Sequence, residues 1–506
     1  MSKEGVKVPF IGGSYEYRSR GVSPQRTINL YPEKVESGGK TDMVLVYTPG
    51  EVLVSTIGVD TDATIRGFWY SSTGPDSISV LYACYGDRVY RILRDFTYVE
   101  IGQVAIGTGP ISICDNGFDL VVADGTALFR ADLLAEDSLV ADTWAQVDLP
   151  YLTGTEIPIR PSQVAFLQNR LIINSQRNEF YFSNLASTVF TDEFGVANFY
   201  SAESSADTIS AMIALNGRLL LLGERSYEFW SSGGDSNNDP LSFINGSSSD
   251  IGILAPRSIS ALNDNFFWLG SSNAGRNTVY MVNGMNKPIR ISTNAIEYEL
   301  NSLSDTVGAV GWSYYEQGHL FYVLGFATAR KTFVYDVNTN LWHERMTRDW
   351  NTGEDLAWEP QIAVTAYNDV YFGSLNGNRL LRLDPEKYTD YNDRPIVRKR
   401  ISPIYYANYS PVTIRELYID MEVGTTPLLA TLGRDPQCML RVSRDGGNTF
   451  VSYDWRSIGL QGEYTQSVKW SNLGSGRSFA IELTFSDPSP IVIYGARLAI
   501  QESSRR

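Results

Sequence analysis

The chain has 506 residues, 43% hydrophobic and 12% aromatic, with 42 Lys+Arg against 57 Asp+Glu for a net charge of −15. Such a composition suits a globular chain with room for several domains, and an acidic body excludes a protein that grips nucleic acid through its phosphates. Cys84, Cys114 and Cys438 lack the close pairing of zinc sites or disulfide scaffolds, and no apolar run approaches the roughly 20 residues that span a bilayer.

Met1-Ser-Lys-Glu-Gly-Val-Lys7 lacks the apolar core of a secretory leader, so synthesis in a reducing cytoplasm is expected. Residues 1–50 are Gly-, Ser- and Pro-bearing, and Ser19-Arg-Gly-Val-Ser-Pro-Gln-Arg26 is too polar for a core strand. This predicts an extended N-terminal arm that packs on something else.

From Ile65 to Leu383 the sequence repeats itself. Each unit opens with a short alternating strand, passes a polar turn and enters a strongly hydrophobic strand that usually ends at Gly, as in Ile209-Ser-Ala-Met-Ile-Ala-Leu-Asn-Gly-Arg-Leu-Leu-Leu-Leu-Gly223. A third strand carries aromatics, as in Tyr227-Glu-Phe-Trp230, and a more polar fourth closes the unit. The openings, Ile65, Ile111, Val164, Ile209, Ile259, Val307 and Ile362, lie between 45 and 55 residues apart, which is the spacing of propeller blades. Residues 51–393 are therefore read as a β-propeller of six or seven blades in an all-β chain, against an array of β-sandwiches with similar turn spacing. No long stretch carries a helical period.

After the charged connector Glu386-Lys-Tyr-Thr-Asp-Tyr-Asn-Asp-Arg394 the strands lengthen and alternate cleanly, as in Ile414-Arg-Glu-Leu-Tyr-Ile-Asp-Met-Glu-Val423. Residues 394–506 are predicted to form a C-terminal β-sandwich. From Arg394 onward there are 14 basic and 10 acidic residues, leaving 28 and 47 before it, so the net charge divides as −19 and +4.

Within that region Ser443-Arg-Asp445-Gly-Gly447-Asn-Thr449-Phe450 resembles the Asp-box of sialidases and other β-proteins. There an Asp carboxylate and a Thr hydroxyl satisfy backbone donors of a hairpin whose glycines need positive φ. It is read as a structural turn, since sialidase chemistry needs an arginine cluster, a Tyr nucleophile with a Glu partner and an acid, none of which one box supplies. Only two histidines exist, His319 and His343, and neither lies near a nucleophile elbow. Glu297/Glu299 and Asp420/Glu422 have the spacing of strand residues on one face, and are read as solvated. No phosphate loop, metal set or cofactor motif appears, and no catalytic residue is assigned. The basic run Arg394, Arg398, Lys399 and Arg400 is read as a domain connector or a contact with an acidic neighbouring subunit, since no aromatic ladder for single strands accompanies it.

These residues suggest a family. Gln25-Arg-Thr-Ile-Asn29-Leu-Tyr-Pro-Glu33 followed by Tyr47-Thr-Pro-Gly50, then Ser226-Tyr-Glu-Phe-Trp230, Gly252-Ile-Leu-Ala-Pro256, Val279-Tyr-Met-Val-Asn-Gly284, Ile289-Arg-Ile-Ser-Thr293, the Asp-box, Gly462-Glu-Tyr464 and Val468-Lys-Trp-Ser-Asn-Leu-Gly474 occur in order along most of the chain. The series resembles the tail nozzle, or hub, proteins of short-tailed bacteriophages, the podovirus group that includes the packaged-DNA stabilisation proteins. The resemblance implies a structural virion protein without enzymatic activity: a homohexameric ring below the head-to-tail adaptor whose lumen continues the DNA channel and holds back packaged DNA until ejection. It further implies a needle or plug sealing the distal end, spikes or fibres on the periphery, and double-stranded DNA passing an acidic lumen without specific binding. On it the arm and the basic run become candidate subunit or adaptor contacts, and six blades are expected by analogy, a seventh repeat being a strand donated to close the ring. The alternatives are a glycan-binding or glycan-cleaving propeller, suggested by the Asp-box and the many Trp and Tyr residues, and a monomeric propeller interaction module.

Overall fold

Four-stranded sheets with two apolar faces cannot exclude water alone, and here seven of them do so by closing into a ring. The computed structural model describes residues 5–72, 79–133, 143–202, 207–233, 240–272, 275–284, 287–406, 410–425 and 434–502. Residues 1–4, expected to carry no leader, and 234–239 of the Gly- and Asn-rich loop after Trp230 lie outside the described residues.

Blade 1 is the antiparallel meander Ile65–Ser71, Val80–Tyr85, Arg88–Ile92 and Tyr98–Gln103. Blades 2 to 4 repeat it from Ser112–Asp115 through Ala145–Gln146, Val164–Leu167 through Phe199–Ser201, and Ile209–Leu215 through Leu241–Phe243. In blade 5 both Ile251–Ile253 and Ser260–Leu262 pair with Asn265–Ser272, which continues to Gly275–Asn283 and Ile289–Arg290. Blade 6 runs from Val310–Glu316 to Leu341–Glu344. Blade 7 is Pro360–Ala366, Asp369–Ser374 and Arg379–Asp384, completed by Gly50–Thr56 from before the first repeat.

The innermost strands touch in a closed cycle, the last against Ile65–Ser71. All seven repeats are thus blades, and the closing strand is an additional one. Ile111 and Ile259 each lie one residue ahead of their strands, and Val307 lies exposed three residues ahead of Val310–Glu316. Between each neighbouring pair of blades sits a separate hydrophobic core. A blade's second strand is packed on both sides, so it reads as an unbroken apolar run instead of alternating: all six residues of Val80–Tyr85 and all eight of His319–Phe326 are buried.

The sandwich draws strands from both ends of the chain. One sheet orders Leu30–Lys34, Met43–Tyr47, Val492–Glu502, Val412–Met421 and Val468–Gly476, with Val6–Val8 also on Val492–Glu502. The other contains Arg398–Ile401, Ser478–Phe485 and Gln437–Ser443. Phe10 and Leu30 are buried in the core between them. The segment read as an arm for a neighbour therefore packs within its own chain. Its strands are only two to seven residues long and interrupted by Pro and Gly, so no period marked them.

One helix, Asn294–Ser302, departs from the all-strand reading, with Thr293 as its cap accepting from Ile296 N. It holds Glu297 and Glu299, so their two-residue spacing puts them on different sides, not on one strand face. Among the described residues no helix is long and apolar enough to cross a membrane.

Candidate functional site

The basic run lies in a joint that makes propeller and sandwich one body. Pro24–Ile28 inserts between them, parallel to Leu341–Glu344 of blade 6 through Ile28 and Glu344, and antiparallel to Arg398–Ile401 of the sandwich. A single sheet thus runs from blade 6 through an N-terminal strand into the sandwich. Across it Arg26 pairs with Glu344, whose Oε1 also accepts from Ser14 Oγ at 3.0 Å. Burial works against the Glu344 charge, but Arg26 outweighs it and holds the carboxyl below its usual range.

Arg398 and Arg400 point into this joint and are fully buried. Arg400 donates from Nε to Phe10 O at 2.7 Å, from Nη1 to Gly13 O and Thr27 Oγ1, and from Nη2 to Gln25 Oε1. Arg398 donates from Nη2 to Thr48 O at 3.2 Å and lies over the Tyr47 ring. Among the described residues neither has a carboxylate partner, and burial pulls the pKa down to about 10 for Arg398 and about 9 for Arg400. They have no surface left for a subunit or an adaptor, because strand alternation turns both inward. Lys399 between them is half-buried and Arg394 is exposed.

Two signature stretches of the N-terminus meet at the same joint. Asn29 bonds Met346 and Val397 through its side chain, and its carbonyl accepts from Thr48 N. Gly50 N donates to Lys387 O at 2.7 Å, and a Cβ at Gly50 would stand 2.5 Å from the Lys387 and Thr389 carbonyls, so only glycine fits. Next to it Glu51 accepts from Trp358 Nε1 at 2.8 Å while its other oxygen is unpaired, and burial followed by the charge of Glu359 pushes its carboxyl up to about 8. Beside Trp358, Arg345 is buried over the rings of Trp358, Phe321 and Tyr314 with Glu316 Oε2 at 3.4 Å. Sequence reasoning missed Asn29 and Glu51 because they work through residues more than 300 positions away, and Arg345 because its ring and carboxylate partners in Tyr314–Trp358 form no motif.

The Asp-box forms as a turn. Asp445 Oδ1 accepts from Ser443 Oγ, Asn448 N and Thr449 N, and Oδ2 accepts from Thr449 Oγ1 at 2.6 Å. Ser443 Oγ in turn accepts from Gly447 N, and Phe450 is half-buried under the Arg441 guanidinium. The hydrogen bonds from Thr449 hold the Asp445 carboxyl well below its ordinary range. Both carboxylate oxygens are occupied by the turn itself.

The histidines form no catalytic pair. His319 Nδ1 lies 2.9 Å from Asp336 Oδ2, His343 is fully buried without a hydrogen bond, and both pack around Tyr31 and Phe321. Glu297 pairs with Arg290, Glu299 with Lys331 and Asp420 with Lys40, which accounts for three of the four candidate carboxylates. The three cysteines are buried and free, their thiols pushed up by burial. Among the described residues no group of His, Cys, Asp and Glu could hold a metal ion.

A wide opening is the axial channel of the propeller, a cavity of about 910 Å³ lined by residues of every blade, among them Phe68, Ile111, Val164, Ile213, Ile259, Val310 and Ile362.

Residues 6–388 match the family model described as bacteriophage P22 Gp10, β-propeller, and residues 390–501 match bacteriophage P22 Gp10, β-sandwich. The chain belongs to the bacteriophage P22 Gp10 family. It is therefore a structural protein of a phage tail, a component of the virion that contacts other virion proteins. The Gp10 family models likewise describe a β-propeller followed by a β-sandwich. No curated protein matches the chain. Solved propellers resemble it distantly: virginiamycin B lyase from Staphylococcus aureus at 10% identity over 66% of this chain and 97% of that one, TM-score 0.41, and the WD40 domain of Doa1 at 12% identity over 66% and 98%, TM-score 0.38.

Proposed function

We propose that this Gp10-family protein forms the ring-shaped tail nozzle, a homohexamer that extends the DNA channel below the head-to-tail adaptor and helps retain packaged DNA until ejection. The observation that carries this reading is the continuous sheet through Pro24–Ile28, which joins two lobes of opposite charge balance into one hydrogen-bonded subunit. A closed ring of heterologous contacts needs a subunit whose two different faces are held at a fixed angle. Residues 1–47, which supply sandwich strands, hold 7 basic and 5 acidic residues; counted with the 14 and 10 from Arg394 onward they give +6 against −21 for residues 48–393, so such a subunit has complementary ends. Arg394 and Lys399 are the members of the basic run that can serve as subunit or adaptor contacts.

On this reading the protein is made in the host cytoplasm, has no enzymatic activity and uses no cofactor. A needle or plug closes the distal end, spikes or fibres dock on the periphery, and the duplex passes an acidic lumen without specific binding. A glycan-cleaving propeller drew on the Asp-box, and Asp445 is fully engaged in its own turn.

Electron microscopy of the purified protein mixed with its adaptor tests the proposal. A six-fold ring stacked coaxially on the adaptor is expected, together with no retention of duplex at about 0.15 M salt. A persistent monomer that ignores the adaptor, or a ring that holds DNA tightly, overturns it.

A further inference from the structure

The mouth of the axial channel where the innermost strands begin carries two arginines; the rest of the wall mixes apolar residues with polar ones such as Gln163, Ser260 and Asp115, whose carboxylate already accepts from Trp69 Nε1 and Gly117 N. Arg66, the second residue of blade 1, is only 4% exposed, yet it lines the channel. Its Nε donates to Gly109 O at 2.7 Å and its Nη1 to Gly86 O and Ala105 O, which fixes the guanidinium and leaves Nη2 without an acceptor among the described residues. Arg257 reaches the same channel from the single turn Pro256–Ser258, just ahead of Ser260–Leu262 in blade 5. That turn is clamped: Ser258 O accepts from Tyr322 Oη at 2.7 Å, and Gly311 of blade 6 lies so close that a Cβ there would meet Ser258 O at 2.3 Å.

Arg257 makes no ion pair or hydrogen bond among the described residues. Burial, and then the like charge of Arg66, pull its pKa below the arginine range. A protein that needed Arg257 only for folding would give it an acid, since a half-buried cation facing another cation is unfavourable unless neutralised. Phe68, Ile111, Val164, Ile213 and Ile362 continue the wall beyond them.

We propose that the propeller channel binds an oxyanion carried on an apolar body, its carboxylate or phosphate seated between Arg66 and Arg257 and its apolar part along the innermost strands. Guanidinium groups suit this role because their N–H donors match the oxygen pairs of carboxylate and phosphate. The site is independent of the ring proposed above, being complete within one chain.

Calorimetric titration of the full chain with octanoate, octanol and inorganic phosphate tests it. Octanoate should bind once per chain and at least tenfold more tightly than octanol or phosphate. Arg257→Gln should weaken octanoate at least tenfold without altering thermal stability, because Arg257 holds no protein group, whereas exposed Arg94→Gln should change nothing. Equal affinity for octanol removes the arginines from the site, and equal affinity for phosphate removes the apolar wall. Absence of saturable octanoate binding, or an unchanged affinity in Arg257→Gln, overturns the proposal.

Discussion

Asn29 grips Met346 through both ends of its carboxamide: Nδ2 donates to the Met346 carbonyl and Oδ1 accepts from the Met346 N–H, each at 3.0 Å. The same Nδ2 donates to Val397 O at 2.8 Å, so one side chain ties the N-terminal segment, the exit from blade 6 and the entry to the sandwich. Its φ of 53° is left-handed, a conformation that Asn tolerates better than most residues. Asn29→Ala strands these buried backbone groups and strains the turn, at a cost of about 2–4 kcal/mol. Denaturant unfolding measures this directly, and a loss below about 0.5 kcal/mol, the scale of a neutral surface change, would show that water takes over the bonds.

The seven repeats were legible, with the blade count left at six or seven, because each carries a local meander of at least three strands whose second strand is packed on both sides and largely apolar. The Asp-box was legible for a related reason, since every bond of its turn lies between Ser443 and Thr449. What could not be read depends on distant partners. Gly50–Thr56 closes blade 7 against Arg379–Asp384, and Arg400 finds its acceptors between Phe10 and Thr27. Without those acceptors Arg398-Lys-Arg400 reads as surface charge, although its alternation already places both arginines on one face. The helix Asn294–Ser302 was hidden because Ile296-Glu-Tyr-Glu-Leu300 alternates like a strand.

Glu51 gives the joint a pH dependence. Its carboxyl is raised from 4.5 to about 8, so between those values the folded chain keeps a proton that the unfolded chain releases. Stability contributed by the neutral form is complete below about pH 4.5 and is lost as pH rises towards 8, with no further loss beyond. Glu51→Gln keeps an acceptor for Trp358 and removes the charge, so its advantage over the wild type should grow across that window to a few kcal/mol. Thermal unfolding at pH 5 and pH 9 reads the difference. A parallel pH response in the two proteins would place the proton elsewhere.

Asp445→Ala removes four hydrogen bonds from an exposed turn and is expected to lower the melting temperature modestly while exposing the loop at Asn448 to protease. The depressed carboxyl means that the wild-type turn keeps its advantage above the ordinary carboxylate range and loses it as pH falls through the folded value. The mutant should therefore differ from wild type at pH 7 and converge with it in strong acid. Hydrolysis of any sialoside by the wild type that this mutant lacks would make the box catalytic.

The final prediction separates a docking arm from a structural segment. Removing residues 1–24 takes away Val6–Val8 from the edge of Val492–Glu502, Phe10 from the sandwich core, and the Phe10 and Gly13 carbonyls that Arg400 bonds. A buried guanidinium stripped of acceptors is costly, because desolvation is no longer offset. Arg400→Lys makes a milder version of the same defect, since an ammonium cannot reach four acceptors in the plane of a guanidinium, and should cost about 2–4 kcal/mol. Hydrogen exchange locates the damage: in both variants Arg398–Ile401 and Ser478–Phe485 should exchange faster while Val80–Tyr85 of blade 1, which does not adjoin blade 6, keeps its protection. If the truncated chain shows wild-type exchange in the sandwich and fails only in particle assembly, residues 1–24 serve a neighbour, and their packing in this chain contributes little.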